Sequence, residues 1–324
     1  MEIIRNIEKA RMMPHCAATI GVFDGVHAGH RQVIKRLISD AQFHHLASMV
    51  ITFDRQPRQL FDPEFHPQLL TTQEEKEREL EQLGIDFLVV LPFTKEIASL
   101  SAHDFMKQIL KEKLNVALLQ IGYDNRFGHD RKEGFDDYVR YGQELGIVVH
   151  RNVKLSCQGY DFSVCSSNIR SLLYDNGDVE TAAVFLERPY QLSGKVMPGE
   201  HIGHQLGFPT ANLQPDDPFK LIPASGVYAV WAQVVDQTTH RSSNLPAMMN
   251  IGTRPTFDGR SRTLEVNIFD FDGNLYGQTV LITFIARLRE ERKFESPEAL
   301  VSQLKEDRQT CLDLLYNKSV NRKS

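Results

Sequence analysis

The sequence predicts two domains of different class, an α/β domain over residues 1–186 and an all-β domain over residues 187–324. The length of 324 residues suits about two domains. The first half alternates short apolar runs with helical patterns. The second half holds short runs separated by glycines and prolines, followed by one final helical pattern.

The apolar runs of the first half are nearly continuous, which is typical of parallel strands buried on both faces of a sheet. Strands are predicted over 16–23, 48–53, 86–93, 116–123 and 147–153. Helices are predicted over 31–47, 71–84, 102–114, 135–146 and 178–187. Since ligands of such sheets bind beyond the carboxyl ends of the strands, the loops after the first and fourth strands are candidate site segments.

The runs between about 190 and 285 indicate a small β-barrel. A last helix is predicted to begin with Ser296 as its cap and Pro297 at its first position. Its apolar stripe consists of Leu300, Leu304, Cys311 and Leu315.

Composition excludes several classes of protein. A net charge of -5 argues against a chain that mainly coats nucleic acid. No run approaches the roughly 18 consecutive apolar residues of a membrane span, and the N-terminus lacks the apolar run of a signal peptide. The four cysteines form no C-x-x-C pair. We therefore expect a soluble cytoplasmic protein, monomeric or weakly self-associating, that acts on small molecules without a nucleic-acid or membrane partner.

The segment GVFDGVHAGH (21–30) follows the first predicted strand and leads into the first helix, which is expected to begin near His30. Backbone N–H groups at a helix start favour an anion, and Gly25 and Gly29 allow it to come close. His27 and His30 can then donate hydrogen bonds to a phosphate. The alternatives are two solvent-facing turn histidines or a metal pair, which would lack a third ligand.

Two later segments carry polar groups suited to the same ligand. IGYDNRFGHDRKEG (121–134) follows the fourth strand and contains Asp124. CSSNIRSLL (165–173) opens a helix with Ser166 and Ser167, and Arg170 follows. A solvated connection and an ordinary serine cap are the alternatives.

In the second half, a glycine-rich segment (193–213) can wrap phosphates with backbone amides. Its evenly spaced glycines are Gly199, Gly203 and Gly207. Thr210 and Asn212 follow with the oxygen atoms that Mg²⁺ prefers. A barrel loop followed by a proline turn is the alternative.

Glu265 lies among apolar residues in the alternating run 263–277. A carboxylate is unfavourable there unless it has a partner or a task. Taking a proton from a hydroxyl is such a task.

Three motifs of the first half, G-x-F-D-G-x-H-x-G-H, G-x-D-x-x-F-G-x-x-R-x-x-G and S-S-x-I-R, resemble in this order the adenylyltransferase module of bacterial FAD synthetases. That module joins AMP to the phosphate of FMN and releases pyrophosphate. The resemblance implies a Rossmann-like nucleotidyltransferase domain in which His27, His30 and Arg170 are catalytic. It implies ATP-binding residues Gly21, Phe23, Asp24, Gly25, Gly29, Asp124, Ser166 and Ser167. ITFDRQPRQLF (51–61) resembles the flavin side of the module, which implies flavin contacts from Phe53, Pro57 and Phe61.

The segment from about 190 to 310 resembles the riboflavin kinase module through G-F-P-T-A-N, N-I-G-x-R-P-T-F and L-E-V-x-x-x-D-F-D-G-x-L-Y-G. The resemblance implies a six-stranded antiparallel barrel that transfers the γ-phosphoryl group of ATP to the ribityl 5'-hydroxyl of riboflavin. In that module Glu265 would be the base, while Thr210 and Asn212 would hold Mg²⁺ and the phosphates with Gly199, Gly203 and Gly207. Residues near the flavin would be Arg289, Glu291 and Phe294.

Together the two resemblances predict a bifunctional enzyme that makes FMN and then FAD from riboflavin and ATP, with Mg²⁺. Three alternatives remain. In the first, the chain retains only one of the two activities. In the second, it is a flavin-binding regulator, and in the third it is an H-x-G-H enzyme that acts on RNA.

Overall fold

The computed structural model describes residues 1–8, 13–122, 126–129, 132–152, 163–198, 207–235, 242–256 and 259–320. The chain divides into two compact units, Met1–Ser166 and Ser167–Ser324. Within the described residues, no helix is both long and apolar enough to cross a membrane.

The first unit is built on a six-stranded sheet in which every neighbouring pair is parallel. Its strands are β1 (Glu2–Ile4), β2 (Cys16–Ile20), β3 (Ala47–Phe53), β4 (Phe87–Leu91), β5 (Val116–Ile121) and β6 (Val148–Arg151). Their order is β1-β4-β3-β2-β5-β6. The predicted parallel sheet is confirmed, and the structure adds β1, which is too short to show a periodicity.

The helices of this unit are α1 (Ala28–Phe43), α2 (Arg58–Phe61), α3 (Gln73–Glu81), α4 (Lys95–Ser99), α5 (Ala102–Asp104) and α6 (Phe135–Leu145). The helix predicted over 102–114 is confirmed; it begins as α5 and continues as a π-helix over Phe105–Lys113. The apolar spacing of a π-helix differs little from that of an α-helix over so few turns. Helices α2 and α4 were not predicted, since neither reaches two turns.

Successive side chains of the strands enter two different apolar clusters. On β3, Met49 and Ile51 belong to a cluster with Met106 of the π-helix. Val50, between them, belongs to a second cluster with Leu37 of α1. Both faces of the sheet are therefore covered, which explains why the strands show apolar runs without alternation.

The second unit contains a closed barrel with the strand order β10-β11-β8-β7-β12-β9. The strands are β7 (Gln191–Met197), β8 (Ala211–Pro215), β9 (Gly226–Val235), β10 (Ser242–Thr256), β11 (Gly259–Ile268) and β12 (Thr279–Arg289), and adjacent strands are antiparallel. The helical segments are α7 (Ser166–Ser171), whose first residue ends the first unit, a π-helix (Leu172–Asn176), α8 (Val179–Leu186) and α9 (Pro297–Val320). The predicted barrel and final helix are confirmed.

Helix α9 begins as predicted, because the Ser296 hydroxyl accepts a hydrogen bond of 3.2 Å from the N–H of Ala299. Its buried Cys311 and Leu315 pack against Met248 of β10 and Ala229 of β9. The helix thereby packs against the part of the barrel that β9, β10 and β12 form.

Candidate active sites

Residues 21–30, the histidine turn, reverse the chain at the carboxyl edge of the parallel sheet. Strand β2 ends at Ile20, earlier than predicted, because the backbone turns through positive φ at Phe23 (52°), Gly25 (85°) and Val26 (39°). Such angles are unusual for a β-branched residue. Val26 is fully buried, so the core holds it in this strained conformation.

The buried carboxylate of Asp24 ties the turn to the segment before α3. It accepts hydrogen bonds from the N–H groups of Leu70 (3.0 Å) and Thr71 (3.1 Å). The Thr71 hydroxyl in turn accepts from the N–H of Gly25 at 3.0 Å. These bonds satisfy backbone donors that would otherwise be buried without partners, which suits Asp24 to shaping the turn.

His27 is the N-cap of α1, so the helix begins at Ala28, before the predicted His30. The Nδ1 of His27 accepts from the N–H of His30 at 3.3 Å. The two imidazoles stack with centroids 3.6 Å apart, and Phe23 meets His30 edge-on at 5.1 Å. Because Nδ1 accepts, a neutral His27 carries its proton on Nε2, from which it can donate to a ligand.

The Nδ1 of His30 is buried and has no hydrogen-bond partner among the described residues. Burial, and then the neighbouring His27 and Lys76, lower the pKa of His30 well below its ordinary value. His30 is therefore neutral near pH 7. A buried polar atom without a partner calls for an explanation, and a ligand at the turn supplies one.

Gly21 and Gly29 allow the close packing of this turn. A Cβ atom on Gly29 would lie 3.2 Å from Cε1 of His27 and 3.6 Å from the carbonyl oxygen of Val164. One on Gly21 would lie 3.1 Å from the ring of Phe23. A side chain at either position would press on a ring of the histidine turn.

The predicted serine motif reaches the same turn. The Ser166 hydroxyl donates to the carbonyl oxygen of Asp24 at 3.0 Å, across 142 positions of sequence. Ser167 and Arg170 follow on α7, within the second unit. Asp124 lies outside the described residues.

The predicted flavin residues of the first unit lie at the end of β3, the strand beside β2. Phe53 ends β3 and packs edge-on against Phe93 at 5.1 Å. Pro57 precedes α2, and Phe61 at its end is 68 % exposed. Phe53 and Phe61 thus provide one fixed and one solvent-facing aromatic ring at the carboxyl edge that carries the histidine turn.

In the barrel, strand register places Glu265 between two asparagines. Glu265 on β11 is directly opposite Asn250 on β10 and Asn212 on β8. Side chains of directly opposite residues share a face of the sheet. The neighbouring Leu264 and Val266 are buried, whereas Glu265 is partly exposed. We call the face that carries these three side chains the Glu265 face.

The segment before β8 borders a cavity. Asn267 is buried and donates from Nδ2 to the carbonyl oxygen of Pro209 at 2.7 Å, which holds the segment that carries the exposed Thr210. The cavity has a volume of about 350 Å³, and its wall includes Pro209, Thr210, Val266, Phe271 and Tyr276. Gly207 adopts a φ of 77° and has no atom near its Cβ direction, so its backbone is open to a ligand. Gly199 and Gly203 lie outside the described residues.

The predicted flavin residues of the barrel have different surroundings. The Thr253 hydroxyl donates to the Glu291 carboxylate at 3.4 Å, and a Cβ on Gly252 would lie 2.9 Å from that carboxylate. Arg289 pairs with the buried Asp307 at 2.8 Å, and its guanidinium lies 5.6 Å from the centre of the Phe294 ring. Glu291 thus lies against β10, while Arg289 is engaged by α9.

Both halves of the chain are similar to known proteins. A family model for FAD synthetase matches residues 9–167, and one for riboflavin kinase matches residues 186–315. The bifunctional riboflavin kinase/FMN adenylyltransferase of Escherichia coli strain K12 is 34% identical over 96% of this chain and 97% of that protein. The chain belongs to this bifunctional family. It carries an FAD synthetase domain and a riboflavin kinase domain.

Other relatives agree with this membership. The protein of the same name from Bacillus subtilis strain 168 is 34% identical over 92% of both chains. A crystal structure of a macrolide-efflux protein from Streptococcus pneumoniae shares the fold with a TM-score of 0.83 and 31% identity, over 96% of this chain and 98% of that one.

Three residues near the sites were not predicted: Lys76, Asn250 and Asn267. The two asparagines stand in motifs that the sequence identifies, but only strand register shows that Asn250 is opposite Glu265, and only the folded structure shows the hydrogen bond from Asn267 to Pro209. Lys76 stands in a highly charged helix. The sequence does indicate that this helix buries charge. Leu80 is the one apolar residue of Gln73–Glu81, so any packing of the helix must bury charged side chains.

Proposed function

We propose that the histidine turn carries the transfer of AMP from ATP to FMN, and that the Glu265 face carries the phosphorylation of riboflavin. The proposed domains are residues 1–186 for adenylyl transfer and 187–324 for the kinase; the FAD synthetase match ends at residue 167 and the riboflavin kinase match begins at residue 186. The observation that supports this division is a difference in proton chemistry. The histidine turn presents a neutral imidazole, that of His30, whereas the Glu265 face presents a carboxylate between two amides.

Adenylyl transfer needs no base, because the attacking phosphate of FMN is already ionised near pH 7. It needs donors for the charge that gathers on the departing pyrophosphate. Neutral His30 and the adjacent His27, together with the N–H groups at the start of α1, suit this role. Around them, the proposed contacts to ATP come from Gly21, Phe23, Asp24, Gly25, Gly29, Asp124, Ser166, Ser167 and Arg170, and those to the flavin from Phe53, Pro57 and Phe61.

Riboflavin, in contrast, offers a neutral hydroxyl that must lose its proton as it attacks. Glu265 takes that proton, and the amides of Asn212 and Asn250 hold the carboxylate in place. Gly199, Gly203 and Gly207 approach the phosphates of ATP, and the cavity beside Thr210 receives the nucleotide. Glu291 and Phe294 border the flavin, and Arg289 keeps Phe294 in position through its ion pair with Asp307.

The side-chain oxygens of Thr210 and Asn212 suit Mg²⁺. Thr210 offers an exposed hydroxyl and Asn212 a partly exposed amide, while the described residues contain no group of three or more His, Cys, Asp or Glu side chains that could hold a metal. Mg²⁺ commonly takes few protein ligands and completes its shell with water and phosphate oxygens. When bound, it would neutralise charge on the transferring phosphoryl group.

A product assay tests the proposal. Purified protein is incubated with ATP, Mg²⁺ and either riboflavin or FMN, and the flavins are separated by chromatography. We expect FMN and then FAD from riboflavin. The Glu265→Gln variant should lose about 100-fold or more of riboflavin phosphorylation and keep FAD synthesis from FMN. The His30→Asn variant should accumulate FMN.

Each alternative has its own outcome in the same assay. Formation of FMN but no FAD, or of FAD only from added FMN, would mean that one activity is retained. Flavin binding without either product would favour a regulator. If Glu265→Gln and His30→Asn lowered both activities equally, the division of labour would be wrong.

A further inference from the structure

The mechanism above leaves one buried cation of the first unit without a role. Lys76 of α3 is 7% exposed, and its ammonium donates to the carbonyl oxygen of Val22 at 3.3 Å and to the hydroxyl of Thr52 at 3.4 Å. Val22 belongs to the histidine turn, and Thr52 precedes Phe53 on β3. Lys76 therefore links the proposed phosphate side of the site to its proposed flavin side.

We propose that Lys76 is a positioning residue for adenylyl transfer, which joins the histidine turn to the end of β3 and keeps a buried positive charge close to His30. This inference rests on the function proposed for His30. It makes Lys76 part of the site although it stands on a helix that carries none of the family motifs.

A purely structural lysine is a poor explanation for this arrangement. Burying an ammonium is unfavourable, and an apolar side chain of similar length usually serves a core at least as well. The Val22 carbonyl and the Thr52 hydroxyl are also hydrogen-bonded to each other without Lys76, since the hydroxyl donates to the carbonyl at 3.2 Å. An apolar substitute would keep the bond between Thr52 and Val22 and would remove the charge, together with the two hydrogen bonds that the ammonium donates.

The charges around this position define its effect. The described titratable groups that act on His30 are His27 and Lys76, and both lower its pKa. Burial lowers the pKa of Lys76 itself, and this is opposed by Asp24, Glu77 and Asp54. Those three carboxylates favour the ammonium form, so the charge near His30 is maintained and His30 stays a neutral donor.

The test compares Lys76→Met with Lys76→Arg in the full-length protein. The matched control is Lys111→Met, which removes a partly exposed lysine that also donates to a backbone carbonyl, that of Gly146. We expect Lys76→Met to lower adenylyl transfer about tenfold, to leave riboflavin phosphorylation unchanged, and to melt no lower than wild type. Lys111→Met should leave adenylyl transfer unchanged.

A second readout follows the imidazole directly. In the free protein with isotope-labelled histidines, the NMR titration midpoint of His30 should rise by about half a pH unit or more in Lys76→Met and stay near the wild-type value in Lys76→Arg. This titration does not depend on turnover, so it remains informative even if His30 has no part in adenylyl transfer.

Three results would overturn the proposal. The first is full adenylyl transfer by Lys76→Met. The second is a titration midpoint of His30 that does not change in Lys76→Met. The third is a loss of transfer from Lys76→Met that is as large in a His30→Asn background as in the wild-type background. The last comparison matters because two residues that act together are not additive. If His30→Asn alone kept full FAD synthesis, the proposed function of His30 would fail independently of Lys76.

Discussion

The histidine turn and the Glu265 face are built from different elements. The turn follows a parallel strand, passes through three positive φ angles and places its functional groups around a helix start. The Glu265 face takes its groups from three antiparallel strands, whose register alone aligns Asn212, Glu265 and Asn250. One site depends on a strained loop held by burial, and the other on ordinary strand pairing in a closed barrel.

The two sites also manage charge differently. In the first unit, a buried lysine acts on one of two stacked histidines, and burial lowers the pKa of both Lys76 and His30. In the barrel, the groups beside Glu265 are neutral amides. This difference agrees with the nucleophiles proposed for the two reactions. The phosphate of FMN is already ionised, so its site needs only hydrogen-bond donors for the departing pyrophosphate, whereas the hydroxyl of riboflavin needs a base.

The largest effect is expected from adding charge to the neutral surroundings of Glu265. The Asn212→Asp variant places a second carboxylate directly opposite it, where like charges repel each other and the phosphates of ATP. We expect riboflavin phosphorylation to fall about 100-fold with FAD synthesis from FMN unchanged. Initial rates of both reactions on the same preparation measure this.

Asn244→Asp is the control for this change. It adds the same charge to an exposed residue of β10 opposite Gln233 and should leave phosphorylation intact. Equal losses in the two variants would mean that net charge, rather than the register around Glu265, limits the kinase.

The sequence predicts features that depend on local interactions better than features that depend on contacts between distant segments. The apolar runs predict the parallel sheet because both of its faces are buried, and Ser296 and Pro297 predict the start of α9 because a helix cap is local. The stacking of His27 on His30, the bond from Ser166 to Asp24 and the burial of Lys76 depend on contacts between distant segments. The spacing of residues along the chain does not predict these contacts, although the motifs indicate which segments take part in them.

A smaller effect is expected from crowding the histidine turn. In Gly29→Ala, the new methyl group would lie 3.2 Å from the His27 ring and displace it by a few tenths of an ångström. We expect adenylyl transfer to fall about tenfold, since such sites are sensitive to small displacements. Stability should change little, because alanine favours a helix more than glycine does.

Gly84→Ala is the control for Gly29→Ala, because we expect it to lower stability and to leave activity unchanged. Gly84 has open space around it but a φ of 81°, so alanine there should cost about 1 kcal/mol of stability without affecting either reaction. Steady-state kinetics and thermal melting of both variants decide the matter. A loss of transfer that merely follows the loss of stability would show that the packing against His27 is not what limits the rate.

The smallest effect concerns the acid sensitivity that the buried His30 gives to the first unit. The pKa of His30 is lowered in the native protein, so below its ordinary value of 6.5 the unfolded chain binds a proton that the native chain does not. Stability is then lost as the pH falls through that value, by at most about 1.4 kcal/mol per pH unit for one proton. The His30→Phe variant keeps a ring beside Phe23 and removes the titration. Between pH 7.5 and 5.5 its free energy of unfolding should therefore fall by about 1 kcal/mol less than that of wild type. Denaturant titrations at the two pH values test this. Parallel losses in the two proteins would mean that the pKa of His30 is not lowered in the native turn, so the contrast between a neutral imidazole there and the carboxylate of the Glu265 face would fail.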